Sequence, residues 1–150
     1  MSSLATAIFT CVVLGVLGAL ALRALARRSS RHVLQTQFAT AIEPDGPLAE
    51  CKIRFPIEEA DTPCLVRAMP AGWYMASSAE LVAKLHWTSG VPYLKQPVLI
   101  PWGLLEYRLA KFPLRRWLRF DIPSAKVTFF VRRSVATAVL REAGRPLPPE

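Results

Sequence analysis

The sequence predicts a mainly β protein: an antiparallel barrel-like domain with a C-terminal helix, preceded by one N-terminal transmembrane α-helix. Three observations predict it. Residues 4–22 (LATAIFTCVVLGVLGALAL) contain neither a charge nor a proline. All 13 prolines lie at or after Pro44, and proline at that density breaks helix interiors and excludes a helical bundle. Between the prolines, short segments alternate apolar and polar residues with the period of half-buried strands, until a helical period takes over after Ser134.

The apolar run is 19 residues long. At about 1.5 Å per residue it makes roughly 28 Å of helix, close to the ~30 Å hydrocarbon core of a bilayer. A cleaved signal peptide wants a basic start, a shorter apolar stretch and a small-x-small cleavage site. Here the run opens on Met-Ser-Ser and is followed by Arg23, Arg27, Arg28 and Arg31. Residues 1–22 therefore read as a retained anchor, with Cys11 as a small apolar filler in mid-span. Basic residues on a short flank stay cytoplasmic, so residues 23–150 are expected on the cytoplasmic side. The four arginines also suit anionic headgroups, at roughly 1 kcal/mol each. Gly15 and Ala19 form a small-xxx-small pair through which two such helices could approach, so a homodimer is one assembly the span permits.

Residues 23–47 read as a basic juxtamembrane stalk and linker that ends in the turn-rich 43–47 (EPDGP). The β domain is expected over 48–144 and a disordered tail over 145–150. In 51–57, Cys51, Ile53, Phe55 and Ile57 share one face, with Lys52 and Arg54 on the other. Strands are expected next over 64–69, 72–76, 81–88, 96–102 and 104–112. In 114–122, Leu118, Phe120 and Ile122 point inward and Arg119 and Asp121 outward. In 126–131, Val127, Phe129 and Val131 share a face. Ser134 is the expected N-cap of the last helix. Val135, Ala138, Val139 and Glu142 follow at helical spacing, and Gly144 is the stop.

The net charge is +8, and half of it sits in the juxtamembrane arginines, so the domain is only mildly basic. That balance excludes the dense basic face of a nucleic-acid binder, and no nucleic acid is expected. Glu58, Glu59 and Asp61 lack a histidine or a second acidic cluster and read as a solvated loop. His86 is the only histidine within 48–144. On the polar face of a strand it supplies neither a metal site nor a nucleophile's base. No catalytic residue, metal or cofactor is expected. Cys51 and Cys64 should be free and buried in a reducing cytoplasm. With the opposite topology they could pair as a disulfide. Trp102 reads as packing at a barrel corner. The most informative exposed feature is the run Arg108, Lys111, Arg115, Arg116 and Arg119, interleaved with Tyr107, Phe112 and Trp117. With the four stalk arginines it forms the candidate surface for anionic lipid headgroups or a protein partner.

The order of elements resembles a pleckstrin-homology-like or GRAM-like split barrel, a strand meander closed by a C-terminal helix. The segments 71–75 (AGWYM), 98–102 (VLIPW) and 117–120 (WLRF) resemble small membrane-anchored bacterial proteins of uncharacterised function. The resemblance covers roughly residues 50–144 and implies no activity. It implies a non-enzymatic, single-pass protein, in the bacterial inner membrane, that presents a small domain to the cytoplasm for protein or membrane-surface interaction. Two alternatives stay open. One is a module that binds a lipid or small apolar ligand; the other is an envelope-facing domain with a disulfide between Cys51 and Cys64.

Overall fold

A computed structural model describes residues 3–28, 30–56, 61–77, 80, 83, 94–111 and 113–149. The chain begins with two helices, α1 (Ser3–Arg28) and α2 (Ser30–Phe38). Strands follow as β1 (Ala49–Arg54), β2 (Thr62–Ala68), β3 (Gly72–Ala76), β4 (Val98–Pro101), β5 (Glu106–Leu109), β6 (Trp117–Ile122) and β7 (Val127–Arg132). A final helix, α3 (Arg133–Glu142), leads into the C-terminal residues. Short 3-10 turns at Trp102–Leu104 and Pro123–Ala125 make two of the corners.

The strands form one curled antiparallel sheet in the order β4-β3-β2-β1-β7-β6-β5. Consecutive strands pair with one another except β4 and β5. β1 reaches across to β7 through only two residue pairs, Ile53 with Val131 and Arg54 with Phe130. β4 and β5 form the two free edges, so the curl stays open between them and the fold is a half-barrel. Proline suits one edge: Pro101 ends β4, whose outer side is met by an isolated antiparallel bridge from Ala39 to Val98 rather than by a further strand.

Alternation fixes which side chains enter the core. Ile53 and Phe55 are buried while Lys52 is exposed. Leu118, Phe120 and Ile122 from β6 meet Val127, Phe129 and Val131 from β7, all buried. Phe120 is the centre of an aromatic stack. It lies parallel to Phe129 at 5.1 Å and tilted against Trp73 at 4.7 Å and Tyr107 at 5.7 Å. β3 is buried along its whole length. Gly72 is required there: a Cβ at this position would stand 2.1 Å from the carbonyl oxygen of Ile100 on β4. Gly72→Ala must force two paired backbones apart, and we expect it to cost about 3 kcal/mol in thermal melts of the detergent-solubilised chain.

Several sequence expectations shift. The strand expected over 81–88 lies almost wholly outside the described residues, and the described Glu80 and Ala83 are helical. β4 and β5 are shorter than 96–102 and 104–112 because the 3-10 turn occupies Trp102–Leu104. β6 begins at Trp117 because 114–116 close a tight turn, with the Trp117 N–H donating to the Leu114 carbonyl. Ser134 is not the N-cap of α3. The helix starts two residues earlier than that cap implies, at Arg133, with Arg132 at the cap position and no side-chain cap. The buried face moves with it, to Ala136, Val139 and Leu140, and Ala138 is exposed. Gly144 does stop the helix, in the left-handed region at φ 66°.

Residues 30–38, read from the sequence as stalk, pack on the sheet. α2 lies against β4 and β7, and Leu34 is fully buried in the same core as Leu140 of α3. The segment after α2 is tied to β4 by the Thr40 N–H, which donates to the Pro97 carbonyl at 2.9 Å. Residues 145–149 are likewise held down. The Arg145 guanidinium lies 4.3 Å from the Trp102 ring centroid, and the Tyr107 hydroxyl donates to the Pro146 carbonyl at 2.8 Å. Trp102 itself donates its indole N–H to the Met69 carbonyl and pins the β2–β3 turn to the corner after β4.

Cys51 and Cys64 face each other directly across β1 and β2, and both thiols are free. Burial pushes the Cys51 thiol up to about 12. Burial, with the charge of Cys51 adding to it, pushes Cys64 up as well. A thiol at about 12 rather than 9.0 holds roughly a thousandfold less thiolate at neutral pH. Iodoacetamide should therefore modify Cys51 and Cys64 at pH 7.5 far more slowly in the folded chain than in the urea-unfolded chain. The sign for stability follows from the raised values. Both thiols are neutral in either state well below the ordinary value of 9.0. Above it the unfolded chain loses protons that the folded chain keeps. Stability should fall by up to about 1.4 kcal/mol per pH unit for each thiol, over the window from the unfolded value to the folded one. Urea titrations at pH 8 and pH 10 of the wild type and Cys51→Ala measure that slope.

Candidate functional site

The structure divides the predicted basic run. Arg108 and Arg119 stand opposite each other on β5 and β6, and both turn to Asp121. Arg119 Nε donates to both carboxylate oxygens of Asp121 at 2.9 Å, and Arg108 is ion-paired with it at 3.7 Å. The Thr128 hydroxyl donates to the same carboxylate at 2.6 Å. These two arginines are committed to a cross-strand network on the outer face of the sheet. Lys111 is exposed just beyond β5, and Phe112 lies outside the described residues. Arg115 and Arg116 take another direction, in the turn before β6, and help to line a groove against the start of α3.

That groove has a volume of about 530 Å³. Five arginines line it: Arg115, Arg116, Arg132, Arg133 and Arg141, together with Ser134, Thr137 and Ala138. None of these described lining residues carries a carboxylate, and Arg115 and Arg133 each engage a further partner. Its construction follows from the fold. The β5–β6 turn is stitched to the β7–α3 junction by the Arg133 N–H, which donates to the Arg116 carbonyl at 2.8 Å. Helical spacing then puts Arg133, Thr137 and Arg141 on one face of α3, four residues apart each time. Arg132 is braced from beneath. Its guanidinium lies 4.9 Å from the centroid of the buried Trp117 ring, which Arg54 also approaches, at 4.8 Å. Arg54 is in turn held by Asp61 through a 2.8 Å hydrogen bond that raises its already high pKa.

The electrostatics of this junction run against local preference. A helix start carries partial positive charge and favours Asp or Glu. α3 has no acidic residue in its first turn and begins with arginine instead. Cationic side chains there add to the helix dipole rather than offset it. An anion in the groove would meet planar bidentate donors and lie at a helix N-terminus.

A scan against protein-family models, a search of the curated proteins and a search of the solved structures each found no match. Function rests on the geometry.

Of the nine basic residues singled out from the sequence, Arg115 and Arg116 reach the groove. Arg23, Arg27 and Arg28 belong to the last turns of α1, and Arg31 to the first turn of α2. Arg31 is half-buried, and its positive charge is felt at Cys64. His86 lies outside the described residues. Sequence reasoning missed Arg132, Arg133 and Arg141. The signal was present in the Arg-Arg doublet that ends the last strand and in the Arg133, Thr137, Arg141 spacing. α1 is the other candidate feature. Its segment Leu4–Leu22 is long and apolar enough to cross a membrane, with a mean hydropathy of 2.4 and every residue exposed.

Proposed function

We propose that this chain is a non-enzymatic, single-pass membrane protein whose small pleckstrin-homology-like domain sits on the cytoplasmic side and engages anionic groups at the membrane surface. The observation that carries the reading is the groove lined by five arginines, on a chain whose N-terminal helix carries an apolar segment of 19 residues. The helix supplies proximity to lipid. The groove supplies charge where anionic headgroups concentrate, and the arginines that follow the helix add to the attraction. The domain thiols, held protonated by burial, are poor nucleophiles, which favours binding over chemistry. An acidic protein partner is the second reading that the same groove supports.

The topology is tested with a membrane-impermeant thiol reagent on intact cells, using a variant with a cysteine added at the exposed Ser124. The reading expects labelling only after lysis. Labelling in intact cells would overturn the cytoplasmic assignment. It would also favour an envelope-facing domain in which the directly opposed Cys51 and Cys64 form a disulfide.

A further inference from the structure

The arginine groove does not end at the arginines. A second cleft of about 380 Å³ adjoins it and shares Arg133, Thr137 and Arg141 with it. Its other walls are apolar. Leu109 and Leu118, paired across β5 and β6, form one side, and Leu147, Pro148 and Pro149 form the other. The C-terminal residues make that second wall because they are fastened down. The Arg145 N–H donates to the Leu140 carbonyl at 2.9 Å, and Tyr107 holds the Pro146 carbonyl. Leu147 remains 40% exposed, which is apolar surface turned toward a cleft rather than into the core.

A cationic groove and an apolar cleft that share one helix face call for a ligand with the same division. A bare anion would leave the leucines and prolines wet. An apolar molecule would gain nothing from five guanidiniums. A flat acidic peptide surface has no apolar arm to lay beside α3. We infer that the two recesses form one site for a single anionic amphiphile, whose phosphate or carboxylate head is held by the arginines and whose alkyl chain lies between Leu109, Leu118 and the Leu147–Pro149 segment. The inference rests on the proposed anion-binding role of the groove and names the class of molecule it takes. The amphiphile has two sources, a phospholipid of the membrane and a free acyl or alkyl anion, and their shared chemistry is what the site reads.

The test is calorimetric titration of the full chain in phosphatidylcholine nanodiscs with three water-soluble probes: inorganic phosphate, hexyl phosphate and hexanol. Partial burial of six methylenes should make hexyl phosphate bind roughly 10- to 100-fold more tightly than phosphate, with no measurable binding of hexanol. Leu147→Asn, a neutral substitution at an exposed position, should bring hexyl phosphate binding down toward that of phosphate. Equal affinities for phosphate and hexyl phosphate would overturn the amphiphile site while sparing the anion-binding groove. Absence of binding by both anions would overturn the groove reading as well. Repeating the titration in phosphatidylglycerol nanodiscs assigns the source. Weakened hexyl phosphate binding there means that membrane lipid already occupies the site, and unchanged binding means a free amphiphile; both support the site's chemistry.

Discussion

Phe120→Ala is expected to destabilise the domain by about 4 kcal/mol, within the 3–5 kcal/mol typical of a buried Phe truncated in a core that cannot collapse. The ring is fully buried and touches three others. It joins β6 to β7 through Phe129, to β3 through Trp73 and to β5 through Tyr107. Losing it removes transfer free energy, leaves a cavity and breaks aromatic contacts worth about 0.5–1.5 kcal/mol each. For a domain of ordinary stability, about 5–15 kcal/mol, that is a large fraction of the total. Near-UV circular dichroism against temperature measures it. Phe130→Ala is the control, since Phe130 is half-buried on the opposite face of β7, and should cost about 1 kcal/mol. Equal effects of the two substitutions would mean that the core is not organised around Phe120.

The second large effect concerns binding. Arg132→Glu with Arg141→Glu converts five positive charges in the groove into three positive and two negative. At roughly 1 kcal/mol per charge near an anionic surface, affinity for anionic ligands should fall by roughly 100-fold or more. Raising the salt toward 1 M, where the Debye length shrinks to about 3 Å, should erode wild-type binding in the same direction. Stability should change by less than about 1 kcal/mol. The loss of the Arg132 contact with Trp117 is offset by relief of repulsion and by a carboxylate at the start of α3. Lys111→Glu reverses a charge that belongs to the linear basic run but not to the groove, and binding should stay within about twofold. A Lys111 effect as large as the double reversal would return the site to the run read from sequence.

The contrast between Arg108 and Arg132 shows what the sequence could carry. Period-2 alternation identified Leu118, Phe120, Ile122, Val127, Phe129 and Val131 as core because strand side chains alternate strictly, and all six are buried. The left-handed Gly144 was equally legible, because few residues other than glycine adopt that conformation at low cost. Leu34 was not. It sits among Arg, His and Gln in a nine-residue helix, and only its contact with β4 and β7 makes it core. The groove was hidden for a related reason. A run of basic residues along the chain says nothing of which carboxylate each will meet. Register sends Arg108 and Arg119 to Asp121, and the turn at 114–116 swings Arg115 and Arg116 toward arginines some 20 residues further on.

The most direct measurement is vesicle capture. The full chain is reconstituted into phosphatidylcholine vesicles and mixed with separate labelled vesicles of phosphatidylcholine or phosphatidylglycerol. The account predicts capture of phosphatidylglycerol vesicles alone, lost with Arg132→Glu/Arg141→Glu and retained with Lys111→Glu. Equal capture of both vesicle types, or capture that survives the double reversal, would contradict it.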